Sequence, residues 1–347
     1  MQQTGSAWHM HWSNDGVRMD IRESGAIELT DDVTDVKSLS DGGYLIVRHT
    51  LDGVEHVVDI GASNGTITRT YSVGGKARPW DDGAKRWLAA ELPSLVRRSG
   101  LGAAGRTRQL LSATGVDGVL TEIRLLEGDY VRRVYFTELF TQARLEAAAM
   151  SRALALAGGV IRSDYELTEA LRASAPVAAC HEVSAKAYVE AADRVASDYE
   201  HRRSLLALLH AEGAVGAVHE MAMQSAGSMR SDYEKAETLR AALASRHIER
   251  GDALFDAIDT MRSDYEKRRV LTEVAKANPT RRVLEATFEA VGAMRSDYER
   301  AEVLLAFVNA PHGDPALRRA LVTAAQDIRS SHDQHRVLAA LLDTERR

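Results

Sequence analysis

Residues 8–75 alternate apolar and polar side chains in short runs, whereas from residue 84 onward apolar positions recur every three or four residues. The first pattern belongs to strands with one buried face, the second to amphipathic helices. The runs Val17-Arg18-Met19-Asp20-Ile21, Tyr44-Leu45-Ile46-Val47 and Thr66-Ile67-Thr68-Arg69-Thr70-Tyr71 lie between turn signals. Those signals are Asn14-Asp15-Gly16, Asp41-Gly42-Gly43, Asp52-Gly53, Ser63-Asn64-Gly65 and Val73-Gly74-Gly75. Asn-Gly and Asp-Gly supply the positive φ that tight hairpins need. Roughly seven short strands follow from this spacing, as an antiparallel meander folded into a small sandwich or a flattened sheet. A stack of coiled β turns is the alternative. Helices are then predicted over Ala84–Arg98, Thr107–Thr114, Val116–Leu126 and Tyr130–Gln142, with Pro93 kinking the first or ending it at Leu92. Trp80 and Trp87 are placed to seal the sheet against that helix.

Beyond this point the helical pattern repeats. Ser-Asp-Tyr-Glu begins at Ser163, Ser197, Ser231, Ser263 and Ser296, and a degraded Ser-Ser-His-Asp at Ser330. A fixed period of this length marks a solenoid, whose units bury their apolar faces only against their neighbours. The tetrapeptide fits a capping box: Ser at N-cap accepts the amide three residues on, and Glu reaches back to the Ser amide. Eight residues after each Ser stands Leu171, Leu205, Leu239, Leu271, Leu304 or Leu338, preceded by Ala170, Ser204, Thr238, Val270, Val303 or Val337. Two residues before each Ser stands Ile161, Val195, Met229, Met261, Met294 or Ile328.

Each unit therefore reads as a helical hairpin, with breakers Pro176, Gly213, Gly251, Pro279 and Pro311-His312-Gly313-Asp314-Pro315 in the connections. No Trp-Leu-Gly-Tyr pattern recurs, so HEAT-like stacking describes it better than TPR. Gly128-Asp129-Tyr130 reads as a degraded capping copy. The expected fold is α+β: an antiparallel β module over 1–80, a helical connector with the capping repeat over 81–147, and an α-solenoid over 148–347.

Composition narrows the partners. The net charge is −6 and aromatic residues make up 5%. Residues 161–347 carry 26 Lys and Arg against 30 Asp and Glu. Duplex binding draws most of its affinity from a basic excess, so nucleic acid is disfavoured. The single cysteine, Cys180, rules out an intrachain disulfide and reads as a small buried or half-buried hydrophobe. No apolar run approaches a membrane span, and the first thirty residues lack a signal-peptide core.

Candidate binding residues come from the repeated edge. Arg precedes Ser at Arg162, Arg230, Arg262, Arg295 and Arg329, with Ala196 the exception. The tyrosines are Tyr165, Tyr199, Tyr233, Tyr265 and Tyr298. In a stack, the Arg of one unit should lie near the Asp or Glu of a neighbour, Arg230 near Asp264 or Asp198, and Arg262 near Asp297 or Asp232. An inter-repeat structural ladder is the preferred reading; a binding edge built of Arg162, Tyr165, Tyr199, Arg230, Tyr233, Arg262, Tyr265, Arg295 and Tyr298 is the sharper one. The tyrosines are expected to be half-buried packing elements.

Chemistry is scarce. His181-Glu182 and His219-Glu220 lack the second His of a zinc peptidase. His9 and His11 share a strand face without an evident third ligand. His201, His210 and His219 are expected at the surface, and His332 with His335 on a solvated face. No catalytic residue, metal site or cofactor is assigned.

Trp12-Ser13-Asn14-Asp15-Gly16, Thr30-Asp31-Asp32-Val33-Thr34-Asp35-Val36 and Ser40-Asp41-Gly42-Gly43-Tyr44, followed by these repeats, resemble a segment of certain bacterial envelope and regulatory proteins. Some of these carry a membrane zinc metallopeptidase of the beta-lactam-sensor type in front. The peptidase motif is missing here, so the resemblance implies an accessory or sensory module and carries over no catalytic residue. The expected function is a non-enzymatic scaffold that binds another protein, without nucleic acid and without membrane insertion. The alternative is an envelope sensor for a small ligand or envelope component. The last helix, His332–Arg347, is expected to lack a pairing helix: either Thr344-Glu345-Arg346-Arg347 gives a polar end cap, or that face meets a partner or self-associates with a second copy. The absent signal peptide places the chain in the cytoplasm; the resemblance places it in the periplasm or envelope if an upstream signal has been removed.

Overall fold

In the computed structural model the chain forms two compact units, Met1–Arg144 and Leu145–Arg347. The structure describes residues 2–4, 7–14, 17–244, 251–277, 279–310 and 314–345; the side chains of 2–4, 7, 8, 12, 14, 17 and 345 lie outside that description. Asp15-Gly16, Pro311-His312-Gly313 and Arg346-Arg347, each part of an expected turn or end cap, fall outside the described residues.

The first unit begins with β1 (Gln2–Thr4), β2 (Ala7–Asn14), β3 (Val17–Ser24), β4 (Ile27–Leu29) and β5 (Val36–Leu39). It continues with β6 (Tyr44–Leu51), β7 (Val54–Ser63), β8 (Thr66–Val73) and β9 (Lys76–Arg78). One seven-stranded sheet has the order β1-β2-β3-β6-β7-β8-β9, and β4 pairs with β5 as a separate two-stranded sheet. Every described pairing is antiparallel. The β6–β7 turn holds Asp52 at φ 51° and Gly53 at 79°, and the β7–β8 turn holds Asn64 at 51° and Gly65 at 74°. Two successive positive φ values are what a two-residue hairpin requires, and these residue pairs tolerate them.

Period-two alternation then places Met19 and Ile21 of β3, Leu45 and Val47 of β6, and Val58 and Ile60 of β7 in one buried core. Helix α1 (Asp82–Ser99) lays Leu88, Leu92, Leu95 and Val96 into the same core. Each such side chain contributes about 1.5–3 kcal/mol on burial. Trp80 and Trp87 pack against it, and Trp87 stacks on His56 with ring centroids 5.2 Å apart. The expected break at Pro93 does not occur: Pro93 lies inside a continuous α1. It removes one amide from the ladder, but Leu92 on one side and Leu95 on the other are fully buried, and that packing holds the helix together. Helices expected separately over 107–114 and 116–126 form one element, α2 (Ala103–Leu125), broken at Gly115 with φ 69° and ψ −161°. Helix α3 (Asp129–Gln142), headed by Gly128, completes the unit and packs on α2.

The second unit contains six helical hairpins. They are α4 (Ala147–Val160) with α5 (Asp164–Ala178), α6 (Glu182–Ala192) with α7 (Asp198–Leu209), and α8 (Ala217–Ala226) with α9 (Asp232–Leu243). Then come α10 (Asp252–Asp259) with α11 (Asp264–Lys276), α12 (Arg281–Gly292) with α13 (Asp297–Ala306), and α14 (Pro315–Gln326) with α15 (Ser331–Glu345). Even-numbered helices pack on one another in one layer and odd-numbered helices in a second. This is the α+β architecture of a β module followed by helical repeats.

The repeat positions behave as the pattern predicts except at Leu338, which in the terminal helix is only half-buried. Leu171, Leu205, Leu239, Leu271 and Leu304 are fully buried, as are Ala170, Ser204, Thr238, Val270, Val303 and Val337. Ile161, Val195, Met229, Met261, Met294 and Ile328 close the preceding helices and are also buried. Two expectations need correction. Pro176 sits in the last turn of α5 rather than in a connection. The terminal helix α15 does have pairing helices, since it packs on α13 and α14; its Leu342 remains 56% exposed. Among the described residues no helix is long and apolar enough to cross a membrane.

Candidate functional site: the repeated edge

The edge is built by the helix starts of α5, α7, α9, α11 and α13. In each, the Ser hydroxyl accepts the amide of the Glu three residues on: Ser163 from Glu166, Ser197 from Glu200, Ser231 from Glu234, Ser263 from Glu266 and Ser296 from Glu299. Ser330 does the same with the Asp333 amide at 3.3 Å. The other half of the expected box is replaced from the second repeat on: the amides of Ser197, Ser231, Ser263, Ser296 and Ser330 go to the Asp of the preceding repeat.

Asp198 Oδ2 accepts the amides of Arg230 at 2.9 Å and Ser231 at 2.6 Å. Asp232 Oδ2 accepts those of Arg262 at 2.8 Å and Ser263 at 2.7 Å. Asp264 Oδ2 accepts those of Arg295 and Ser296, each at 2.7 Å. Asp164 reaches Ala196 and Ser197, and Asp297 reaches Ser330. The recurring Asp thus clasps the next repeat through its main chain. Hydrogen bonds to an ionised carboxylate contribute about 1.5–3 kcal/mol each, the strongest kind available here. The expected Arg–Asp ladder is corrected accordingly: Arg230 does lie at Asp198 and Arg262 at Asp232, but through their amides. The side chains of Arg230, Arg262, Arg295 and Arg329 are exposed. Among the described residues no carboxylate pairs with those four guanidinium groups.

Glu at the third helical position is released for a second ladder that the sequence reading missed. Five and six residues after Ser the repeats alternate between two types: Thr168-Glu169, Arg202-Arg203, Ala236-Glu237, Arg268-Arg269, Ala301-Glu302 and His335-Arg336. The second residue of each Arg-bearing pair reaches backward, with Arg203 to Glu169 at 2.7 Å, Arg269 to Glu237 at 2.5 Å and Arg336 to Glu302 at 2.7 Å. The first reaches forward, Arg202 to Glu234 and Arg268 to Glu299. The repeats of Arg202-Arg203 and Arg268-Arg269 therefore each clamp both neighbours, and the last, with Arg336, clamps the one before it. The paired guanidinium groups hold the Glu169 carboxyl below its ordinary range against the opposing effect of burial.

A third series lies one position earlier: Leu167, His201, Lys235, Lys267, Arg300 and Gln334. Four of these are charged or titratable and buried, with His201 3% and Lys235 2% exposed. Arg300 donates to the carbonyls of Met294 at 2.7 Å, Gly292 at 2.5 Å and Asp327 at 3.1 Å, all at helix C-terminal ends. Lys235 donates to Thr260 Oγ1, and His201 Nε2 lies 2.9 Å from Ser225 Oγ. A cation at a helix C-terminus is favoured by the dipole and by the unpaired carbonyls there. His201, expected at the surface, is thus buried, and Asp193 beside it is held below its ordinary pKa by His201 and Ser225 despite burial.

What remains outward is aromatic and basic. Tyr165, Tyr199, Tyr233, Tyr265 and Tyr298 are 50–54% exposed, not half-buried packing elements. Arginines brace them: Arg268 lies 5.0 Å from the Tyr265 centroid, Arg202 5.4 Å from Tyr199, and Arg269, from the following repeat, 5.7 Å from Tyr233. With Arg162 and Tyr165 at its start, the row brings together all nine candidate residues, Arg162, Tyr165, Tyr199, Arg230, Tyr233, Arg262, Tyr265, Arg295 and Tyr298, as recurring positions of one stack.

The remaining candidates stay apart. His9 Nε2 lies 2.5 Å from Asp20 Oδ2 and His11 3.9 Å from it, yet among the described residues no group of three ligands is arranged to hold a metal ion. Cys180, expected buried or half-buried, is instead exposed just after the end of α5, and its Sγ donates to the Pro176 carbonyl. No protein-family profile, curated protein or solved structure matches this chain.

Proposed function

We propose that the repeat unit is a non-enzymatic protein-binding scaffold whose contact surface is the Tyr–Arg edge, and that its partner presents an extended acidic segment. The observation that carries this reading is the exposure of five identical tyrosines in successive repeats, four of them (Tyr165, Tyr233, Tyr265 and Tyr298) three residues after an exposed arginine. Tyr and Arg are the side chains that most often dominate binding energy at interfaces, because each buries large area while keeping a polar end. The acidic members of the edge are already engaged: Asp by amides of the next repeat, and the Glu200, Glu234, Glu266 and Glu299 carboxylates by Arg. The guanidinium groups of Arg230, Arg262, Arg295 and Arg329, which no carboxylate pairs among the described residues, leave positive charge on it, although the whole chain is acidic.

Packed helices lie about 8–10 Å apart and an extended chain advances about 3.3–3.6 Å per residue. One repeat therefore matches roughly three partner residues, and five tyrosines span an extended segment of about ten to twelve. The resemblance to bacterial envelope proteins belongs to this proposal, and gives the scaffold an accessory role in signalling there.

The test uses arrayed twelve-residue peptides, acidic and charge-reversed, against the full chain and against a variant with Tyr199→Ser, Tyr233→Ser and Tyr265→Ser. Selective binding of acidic peptides by the parent, lost in the variant at unchanged helicity, supports the reading. Equal binding by both proteins, or preference for basic peptides, overturns it.

A further inference from the structure

We propose that the partner of the repeat edge is an acidic polyproline II helix with a three-residue repeat, one turn of it lying on each structural repeat. The proposal rests on the protein-binding reading of that edge and adds the conformation and sequence pattern of the partner. Three complete pairs stand in succession there: Arg230 with Tyr233, Arg262 with Tyr265 and Arg295 with Tyr298. Each pair brings one exposed ring and one exposed guanidinium group to the start of α9, α11 or α13. The repeat before them has Tyr199 but Ala196 in place of the arginine, which bounds the series on that side.

The spacing of the pairs selects the conformation. Arg269 Cζ lies 5.7 Å from the Tyr233 ring centre and 6.0 Å from that of Tyr265, so the two rings are no farther apart than those distances laid end to end. Packed helices lie about 8–10 Å apart, inside that limit. A polyproline II helix turns once in three residues and rises about 3.1 Å per residue, so equivalent positions recur about every 9.3 Å along one edge. One turn thus matches one repeat. A β-strand repeats its side-chain direction about every 6.6–6.8 Å, and residues three apart on it face opposite ways, so a strand falls out of step after a single repeat.

The chemistry of each pair assigns two of the three positions in a turn. Proline packs on exposed aromatic rings, the contact on which recognition of proline-rich segments is built. The rings here are held in place: Arg268 lies 5.0 Å from the Tyr265 centroid and is itself tied to Glu299, and Arg269, between Tyr233 and Tyr265, is tied to Glu237 and Glu266. A polyproline II segment also arrives already extended, so little conformational freedom is lost on either side. The second position is an aspartate or glutamate, whose carboxylate takes the guanidinium group of Arg230, Arg262 or Arg295. The third position faces solvent and is unconstrained. The recognised segment is therefore Pro-Glu-x in three consecutive turns, with a further turn over Tyr199 that needs no acid.

The probes are fluorescein-labelled peptides titrated into the full chain and read by anisotropy. The first is four copies of Pro-Glu-Ser. The second is the same peptide with one extra serine inserted at its middle, the third is four copies of Ala-Glu-Ser, and the fourth is four copies of Pro-Gln-Ser. Saturable binding of the first is expected. The extra serine keeps the charge but puts the later turns out of step, and should weaken binding at least about tenfold, as should the loss of proline or of the acid. Tyr265→Ser should weaken the first peptide at least about fivefold, whereas Tyr265→Phe, which keeps the ring, should bind as the parent does. Equal affinity for the first three peptides, all above the neutral one, overturns the polyproline assignment and leaves the acidic-segment reading standing. Absence of binding by every acidic peptide overturns both.

Discussion

Ile21 of the sheet unit shares its core with Val47 across the sheet and with Leu92 of α1, residues distant in the chain. Leu239 of the repeat unit is buried by helices of its own hairpin and of the adjoining ones. The sheet unit thus rests on single positions that nothing else duplicates. A departure such as Glu23, which stands on β3 where Met19 and Ile21 ask for a third apolar side chain, is conspicuous because the pattern has one copy. The repeat unit spreads the same task over six hairpins and joins them with recurring polar clasps. Redundancy frees its outer edge from structural duty, which is why an aromatic, basic row can be maintained there.

The comparison can be broken first at its strongest point. Ile21→Ala should destabilise the sheet unit by about 2–5 kcal/mol, seen as faster hydrogen exchange in β3, β6 and α1 with the repeats unchanged. Uniform acceleration in both units would show that they do not unfold independently. A pH series sharpens the contrast at about 3 kcal/mol. Burial disfavours the charged form of Glu23, which titrates at about 7 when folded against 4.5 ordinarily, so the native state holds the proton more tightly. Its contribution is complete below pH 4.5 and is lost as pH rises through 7, and Glu23→Gln should flatten that slope in denaturant midpoints. In the repeat unit the shifted Glu169 and Asp193 lie below their ordinary values. Their contribution is present above the unfolded carboxylate range and is lost as pH falls through their folded pKa.

Asp232→Ala removes the acceptor shared by the Arg262 and Ser263 amides and should cost about 3 kcal/mol, with exchange rising at the start of α11. Protection lost only within α9 would show that the clasp does not couple repeats. Smallest of all, Tyr233→Ser should alter thermal stability by less than about 0.5 kcal/mol. A larger loss would mean that the tyrosines are packing elements after all.

Much of this was legible in the sequence because it is local. The hairpin turns at Asp52-Gly53 and Asn64-Gly65, the Ser caps and the buried Leu series follow from residues close together in the chain. Pro93 misled because propensity speaks for the isolated helix, while the burial of Leu92 and Leu95 is decided by the sheet. The Asp clasp, the alternating Arg-Glu ladder and the buried cations needed the register between repeats. The alternation at 168–169, 202–203, 236–237, 268–269, 301–302 and 335–336 was nonetheless visible as a two-repeat superperiod, and would have given the ladder. Glu23 was hidden for a different reason: its burial depends on the pairing of β3 with β6, which joins residues far apart in the chain.

The Asp clasp grips peptide N–H groups, and every non-proline residue offers one. Ala196 fills its place as well as arginine does, at 3.1 Å from Asp164. The position ahead of each serine can therefore drift through almost the whole amino-acid alphabet without loosening the stack. A lineage of such chains can retune what it recognises, one repeat at a time, while its architecture stands still.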